Sequence, residues 1–287
     1  MCAVSLIFAV QDSFSRVLGA EYPPLMIVMI RYWVFIVFVI ALVSRQPGGL
    51  QRAVRTKRPI TQILRGAILV IESYIMVESF VRLGLVNSHA VFTVCPLLVA
   101  ALSGPILGEK VGWRRWTAIG IGFVGILIVL NPSSGIISIE SLLPLIGALM
   151  FALYGLLTRH VARDDPAMVS FFWTGVSGAI TITLLGIWHW EWLRPEDWGW
   201  MAGLCVLGML SHYLLIRAYE LAEASALQPF AYTQLVWASI FGVVFFHDIL
   251  RSNVVIGATI IVAAGLFTLW RTRLKSASAN RRVKPGR

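Results

Sequence analysis

Charge is scarce in this chain. Only 13% of its 287 residues are Asp, Glu, Lys or Arg, and 58% are hydrophobic; an ordinary globular domain is about 25% charged. No long polar helix or loop appears before the C-terminal tail, which excludes a large soluble fold. The three cysteines, Cys2, Cys95 and Cys205, lie in apolar runs without CxxC spacing, so neither a disulfide nor a metal site is expected. There is no P-loop GxxxxGKS/T to harness ATP and no HExxH, and lone serines lack a His–Asp frame. The expectation is therefore no catalysis, no metal and no cofactor. A membrane-embedded enzyme acting on lipids would need a compact His/Asp/Glu cluster at one interface, and His89, His160, His189, His212 and His247 are scattered. A sensor would carry a soluble output domain, whereas the longest non-membrane piece here is a short basic tail. A cleavable signal peptide is not evident, because no basic stretch precedes the first apolar run and Asp12 and Arg16 interrupt it. That run begins at Met1, so the true start is expected a few residues upstream.

What the chain has in abundance is apolar stretches of membrane-spanning length, roughly 20 residues each. Ten spans are expected, at about 2–19, 24–44, 62–83, 88–107, 114–130, 140–159, 167–188, 198–220, 226–246 and 252–270. Turn chemistry separates them, as in Tyr22-Pro23-Pro24, Pro47-Gly48-Gly49, Asn131-Pro132 and Asp165-Pro166. The net charge of +10 is unevenly distributed. With both termini in the cytoplasm, Arg45, Arg52, Arg55, Lys57, Arg58, Lys110, Arg159, Arg163 and the tail from Arg271 to Arg287 all fall on the inner side, leaving Arg194 and Arg251 in outer loops. The basic tail is thus a topology determinant touching anionic lipid, and no nucleic-acid partner is expected. Trp188, Trp190, Trp192, Trp198 and Trp200 cluster at one boundary, with Trp113, Trp116 and Trp270 at the other, as interfacial anchors do.

A unit occurs twice. In Leu85–Leu130 and in Ala224–Leu269, a near-continuous apolar run ends in an acidic residue, Glu109 or Asp248; a second apolar run follows with a glycine in its second half, Gly125 or Gly265. Ten spans divide into two sets of five, and an odd number of crossings per repeat forces opposite orientations. The expected fold is an all-α polytopic membrane protein of ten transmembrane helices arranged as two inverted five-helix repeats, 1–131 and 140–270, with a basic cytoplasmic tail at 271–287. Gly104, Gly120, Gly122, Gly125, Gly257 and Gly265 are expected to let helices approach closely.

Pro96 through Gly108-Glu109-Lys110, followed by Gly125, resembles the first repeat of the EamA-type drug/metabolite transporter superfamily. The second repeat departs from it, with Leu235 where proline is frequent and His247-Asp248 in place of Gly-Glu. The stretch from Ser211-His212-Tyr213 to Tyr219-Glu220, with Ala224-Ser225 and Gln234-Leu235-Val236-Trp237, resembles a proteobacterial subgroup that includes riboflavin importers and S-adenosylmethionine carriers. The resemblance implies a carrier in the bacterial inner membrane, with the lipid bilayer and a small molecule as its partners. Monomer and homodimer both stay open.

Ionisable groups inside spans mark pathways, since each costs about 2.5–3.5 kcal/mol at a helix centre on insertion scales. Asp12 and Arg16, Glu78 and Arg82, and Arg217 and Glu220 are spaced to share a helix face. Arg31 sits in the second span, and Asp12, Glu72 and His212 lie deep. The candidate cavity residues are Gln11, Asp12, Tyr32, Glu72, Tyr74, Phe92, Trp173, His212, Tyr213, Tyr232, Gln234 and Trp237, with Asp12 and Glu72 as coupling carboxylates. Gln228 is a further candidate for edge contacts. Rings with polar tips seek the bundle interior, and a cavity so lined suits a flat heteroaromatic solute. Counting Asp12, Glu72 and Glu78 against Arg16, Arg31 and Arg82 gives near balance. That balance favours a neutral cargo such as riboflavin, taken up, over S-adenosylmethionine or an amino-acid-like solute.

Overall fold

The computed structural model describes residues 2–108, 112–130, 139–222 and 224–283. Among them the chain is helical throughout: α1 (Cys2–Glu21), α2 (Pro24–Ser44), α3 (Gly49–Val54), α4 (Pro59–Phe92), α5 (Cys95–Leu107), α6 (Trp113–Leu130), α7 (Leu143–Val161), α8 (Ala167–Gly186), α9 (Trp198–Leu221), α10 (Ala224–Phe246) and α11 (Ser252–Val283). Helix is the only open secondary structure that satisfies its own backbone in hydrocarbon. Six segments are long and apolar enough to cross a bilayer, and four shorter apolar helices accompany them, Cys95–Leu107, Trp116–Leu130, Phe230–Phe246 and Ser252–Phe267. Proline opens the first turn of α2, α4, α5 and α7, where its missing N–H costs nothing.

The structure departs from the expected spans in three places. Helix α4 holds two helices that meet at a kink at Gly84 (φ 81°, ψ 167°), between the expected third and fourth spans, in a backbone conformation that no L side chain adopts comfortably. The fourth span is interrupted at Thr93–Val94 before α5 restarts with Pro96 in its first turn. A short helix, α3, occupies the loop after α2, and α11 runs past the expected end of the last span to Val283. Glu109 and Lys110 lie outside the described residues.

Apolar side chains on the outside tell the same story as composition. Leu184, Val37, Phe245, Leu127 and Ile121 are exposed, and so are Trp188 and Trp192 at the loop between α8 and α9 and Trp113 and Trp116 at the start of α6. Such a surface is suited to lipid, with tryptophans at the helix ends.

Inside, α4 packs on α7 and α8, α1 on α9 and α10, α5 on α7, α2 on α8 and α9, and α6 on α11. The α6–α11 contact is a backbone approach: a Cβ on Gly257 would lie 2.5 Å from the Gly125 carbonyl oxygen. Gly120 has open space where a Cβ would go, so the expectation that it mediates packing is corrected.

Two polar networks tie the bundle, one near the start of α4 and one at its Gly84 break. Near its start, Arg65 is fully buried; its Nε donates to Gln62 (2.7 Å), Nη1 to Thr158 (3.1 Å), and Nη2 to Thr174 (2.8 Å) and the Ser170 carbonyl. Its guanidinium lies over the Tyr154 ring at 5.6 Å. Asp165 gathers Thr56, the Lys57 N–H (3.2 Å) and Gln62 (2.9 Å) around the same point. Beside it, outside the spans, Arg58 bonds Asp164 at 2.6 Å and holds that carboxyl below the usual carboxylate range. At the Gly84 break, Arg16 of α1 reaches Asp248 in the turn between α10 and α11 (2.8 Å), and Asp248 also accepts the Val86 N–H (3.2 Å) just past it.

Candidate functional site

Between these networks lies a cavity. Phe8, Gln11, Asp12 and Ser15 of α1 fall at spacings of three and four, so they share one buried helix face. Opposite them stand Arg31 of α2, Glu72, Ser73, Met76, Val77, Phe80, His89 and Phe92 of α4, Phe151 of α7, His212 of α9 and Gln234 of α10. The cavity volume is about 40 Å³, room for roughly three water molecules.

Its polar groups are organised around Asp12. Gln234 donates Nε2–H to Asp12 Oδ2 at 3.1 Å, and His89 Nε2 approaches the same oxygen at 3.1 Å without the alignment of a hydrogen bond. Ser211 donates to Gln11 Oε1 at 3.0 Å. Several buried polar atoms lining the cavity have no partner: Arg31 Nη2, His212 Nδ1 and Ser15 Oγ. Leaving such groups unmet in an apolar interior costs about 1–3 kcal/mol each. Gly208 makes room for Arg31, since a Cβ there would sit 3.2 Å from Arg31 Cδ.

Of the residues singled out from the sequence, Gln11, Asp12, Glu72, Phe92, His212 and Gln234 line this cavity, and Tyr232 lines a second one beside it. The remaining five stand outside both linings. Tyr32 is buried in core against Phe35 and the face of Gly178. Tyr213 meets Phe171 edge-on at 5.2 Å, and Trp173 packs edge-on against Phe172. Tyr74 packs on the same core cluster, and Trp237 is half-buried on α10. The side chain of Gln228 is outside the described residues.

The charge pairs also rearrange. Glu78–Arg82 (2.9 Å) and Arg217–Glu220 form as their spacing suggests. Asp12 and Arg16 do not pair with each other: Arg16 turns to Asp248, and Asp12 to His89 and Gln234. The sequence reading missed His89, Phe8 and Phe151. It recognised Arg31 as an intramembrane charge but left it off the cavity. The signal that could have found part of the set is the Phe8, Gln11, Asp12, Ser15 stripe.

Comparison with known proteins places this arrangement. The model of a family described as "EamA-like transporter family" matches twice, over residues 1–131 and 138–270. An "S-adenosylmethionine uptake transporter" of Rickettsia prowazekii (strain Madrid E) is 23% identical over 94% of this chain and 91% of its own length. A "Riboflavin transporter" of Vibrio cholerae serotype O1 is 26% identical over 98% of this chain and 95% of its own, and one of Brucella anthropi is 25% identical over 84% and 87%. A solved crystal structure, 17% identical, superposes with a TM-score of 0.63 over 95% of this chain and 98% of that one, which shows a shared fold.

Proposed function

This chain belongs to the EamA-like transporter family, and we propose that it is a secondary carrier whose cargo is a small zwitterionic metabolite of net positive charge, of the S-adenosylmethionine class. Arg31, Asp12 and Glu72 line one buried cavity, and that single observation carries the reading. The charge count from sequence changes once geometry is included. Arg16 is consumed by Asp248, and Glu78 and Arg82 pair with each other outside the cavity. Two acidic side chains and one guanidinium are left, with His89 and His212 beside them. A cargo bearing one carboxylate and two cationic centres complements that set: its carboxylate meets the unpartnered Arg31 Nη2, and its ammonium and sulfonium face Asp12 and Glu72.

The transport cycle follows from two five-helix halves, 1–131 and 140–270, inserted with opposite polarity and rocking about the cavity. Support comes from the packing. Exchanging the halves maps α4–α7 onto α9–α1, α4–α8 onto α9–α2 and α5–α7 onto α10–α1, while α2–α8 and α6–α11 map onto themselves. A pseudo-two-fold axis in the membrane plane would produce that pattern. The bias of Lys and Arg to one side supports cytoplasmic termini in a bacterial inner membrane.

A second reading, riboflavin, is favoured by the relatives that carry that name and by the rings Phe8, Phe80, Phe92 and Phe151 around the cavity. Purified protein in proteoliposomes decides between them. Saturable uptake of labelled S-adenosylmethionine, unaffected by excess riboflavin, is the expected result. Uptake of riboflavin alone establishes the second reading, and uptake of neither removes both.

A further inference from the structure

The central cavity has a neighbour. A second cavity, also of about 40 Å³, shares Phe8, His89, Phe92, Phe151 and Gln234 with the first. The shared wall is chiefly aromatic, and its rings come from three of the four elements that build it: Phe151 of α7 meets Phe8 of α1 edge-on at 6.4 Å and Phe92 of α4 at 5.5 Å. The chemistry differs on its two sides. Arg31, Asp12 and Glu72 line the first chamber, whereas Leu215, Leu227, Ala231 and Tyr232 give the second a mostly apolar lining. The second chamber lies against the interrupted span, where Thr93, Cys95 and Pro96 contribute to it. Pro96 has no N–H, so the Phe92 carbonyl is denied its helical donor at that break.

We propose that the second chamber is a subsite for the flat heterocyclic part of the cargo, and that Phe8, Phe92 and Phe151 move from partition to stacking surface when it fills. The proposal rests on the carrier reading above, and assigns the two ends of one cargo molecule to two chambers. A charged amino-acid head occupies the first. A nitrogenous ring enters the second, its faces against phenyl rings and its polar edge toward the Phe92 carbonyl that Pro96 leaves without a helical donor. At about 40 Å³ each chamber holds only a few waters, too little for a purine, so the ring wall has to give way. Phe151 is only half-buried, which leaves it room to turn.

Fragments test this directly. Adenosine serves as the ring probe and methionine as the head probe, with purified full-length protein in liposomes. Cys95 lines the second chamber and reports its occupancy in a Cys2→Ser, Cys205→Ala background. The expected result is that adenosine slows modification of Cys95 by methyl methanethiosulfonate at least fivefold and methionine does not. Ala231→Phe, which fills the chamber, is expected to raise the half-saturating S-adenosylmethionine concentration at least tenfold and abolish inhibition by adenosine, with inhibition by methionine kept. Phe151→Ala, which removes part of the wall without adding bulk, should weaken adenosine inhibition selectively. Cys95 inert to so small a reagent, or protected equally by both probes, overturns the subsite. So does an equal loss of both inhibitions in both variants. Cys95 protection needs no transport, so absence of S-adenosylmethionine uptake with adenosine protection intact would overturn the cargo reading and leave the chamber standing.

Discussion

Arg16 and Asp248 are 232 positions apart in sequence and 2.8 Å apart in space. Their contact joins α1 to the turn after α10, and Asp248 adds a third element by accepting the Val86 N–H. Arg16 also covers the Phe246 ring at 4.4 Å. Both side chains are largely buried, so the pair is screened less than a surface ion pair.

Asp248→Ala is expected to destabilise the protein by about 3 kcal/mol, because it strands a partly buried guanidinium. Asp248→Asn keeps an oxygen for the Val86 N–H and should cost clearly less. Thermal unfolding in detergent measures the difference; equal losses would show that the Val86 contact contributes nothing.

Arg65 satisfies four acceptors from one planar group. Lysine has a single nitrogen and cannot span them. Arg65→Lys therefore leaves buried acceptors unmet and should cost about 1–3 kcal/mol, read as a lowered unfolding midpoint with cargo affinity little changed.

Gly257→Ala sets a methyl against the backbone of α6, which no rotamer change relieves. A loss of about 1–3 kcal/mol is expected. Gly120→Ala, on the same pair of helices but facing open space, should be neutral or stabilise by about 0.5–1 kcal/mol. A common effect of both variants on unfolding would contradict the packing described.

Glu72→Gln removes one of the two carboxylates in the cavity and should raise the half-saturating concentration of a cationic cargo at least tenfold. Arg31→Gln should do the same for a cargo with a carboxylate and spare one without. Trp237→Ala, outside both cavities, should leave transport kinetics unchanged. Initial-rate measurements in proteoliposomes check all three.

Helix content and membrane character were legible because apolar runs of bilayer length have few alternatives in lipid. The family model matches once in each half of the chain, over the same stretches in which the order of run, acid and glycine recurs in the sequence. Which faces turn inward was harder to read. Hydrophobic periodicity loses its contrast when the outside is lipid, so Tyr32, Tyr74, Trp173, Tyr213 and Trp237 could not be sorted from Phe8 and Phe151 by pattern alone. The Asp12–Arg16 spacing suggested a local pair because sequence shows neighbours on one helix and hides Asp248, which arrives from the far end of the chain. His89 was passed over for the same reason: its partner, Asp12, is on another helix. The break at Thr93–Val94 had a visible cause in Pro96, although a proline within a span also permits a simple bend.

Helix α4 places Arg65 near its start, Glu72 part-way along, and Gly84 at the break, with Val86 just past it. The nineteen residues from Arg65 to Gly84 span about 28 Å at the rise of an α-helix. A stiff rod fastened at both extremities cannot shed one attachment without changing the angle at which it meets the other. On the carrier reading proposed above, opening at the Asp248 end would then be mechanically opposed to opening at the Asp165 end, as the two doors of an airlock are.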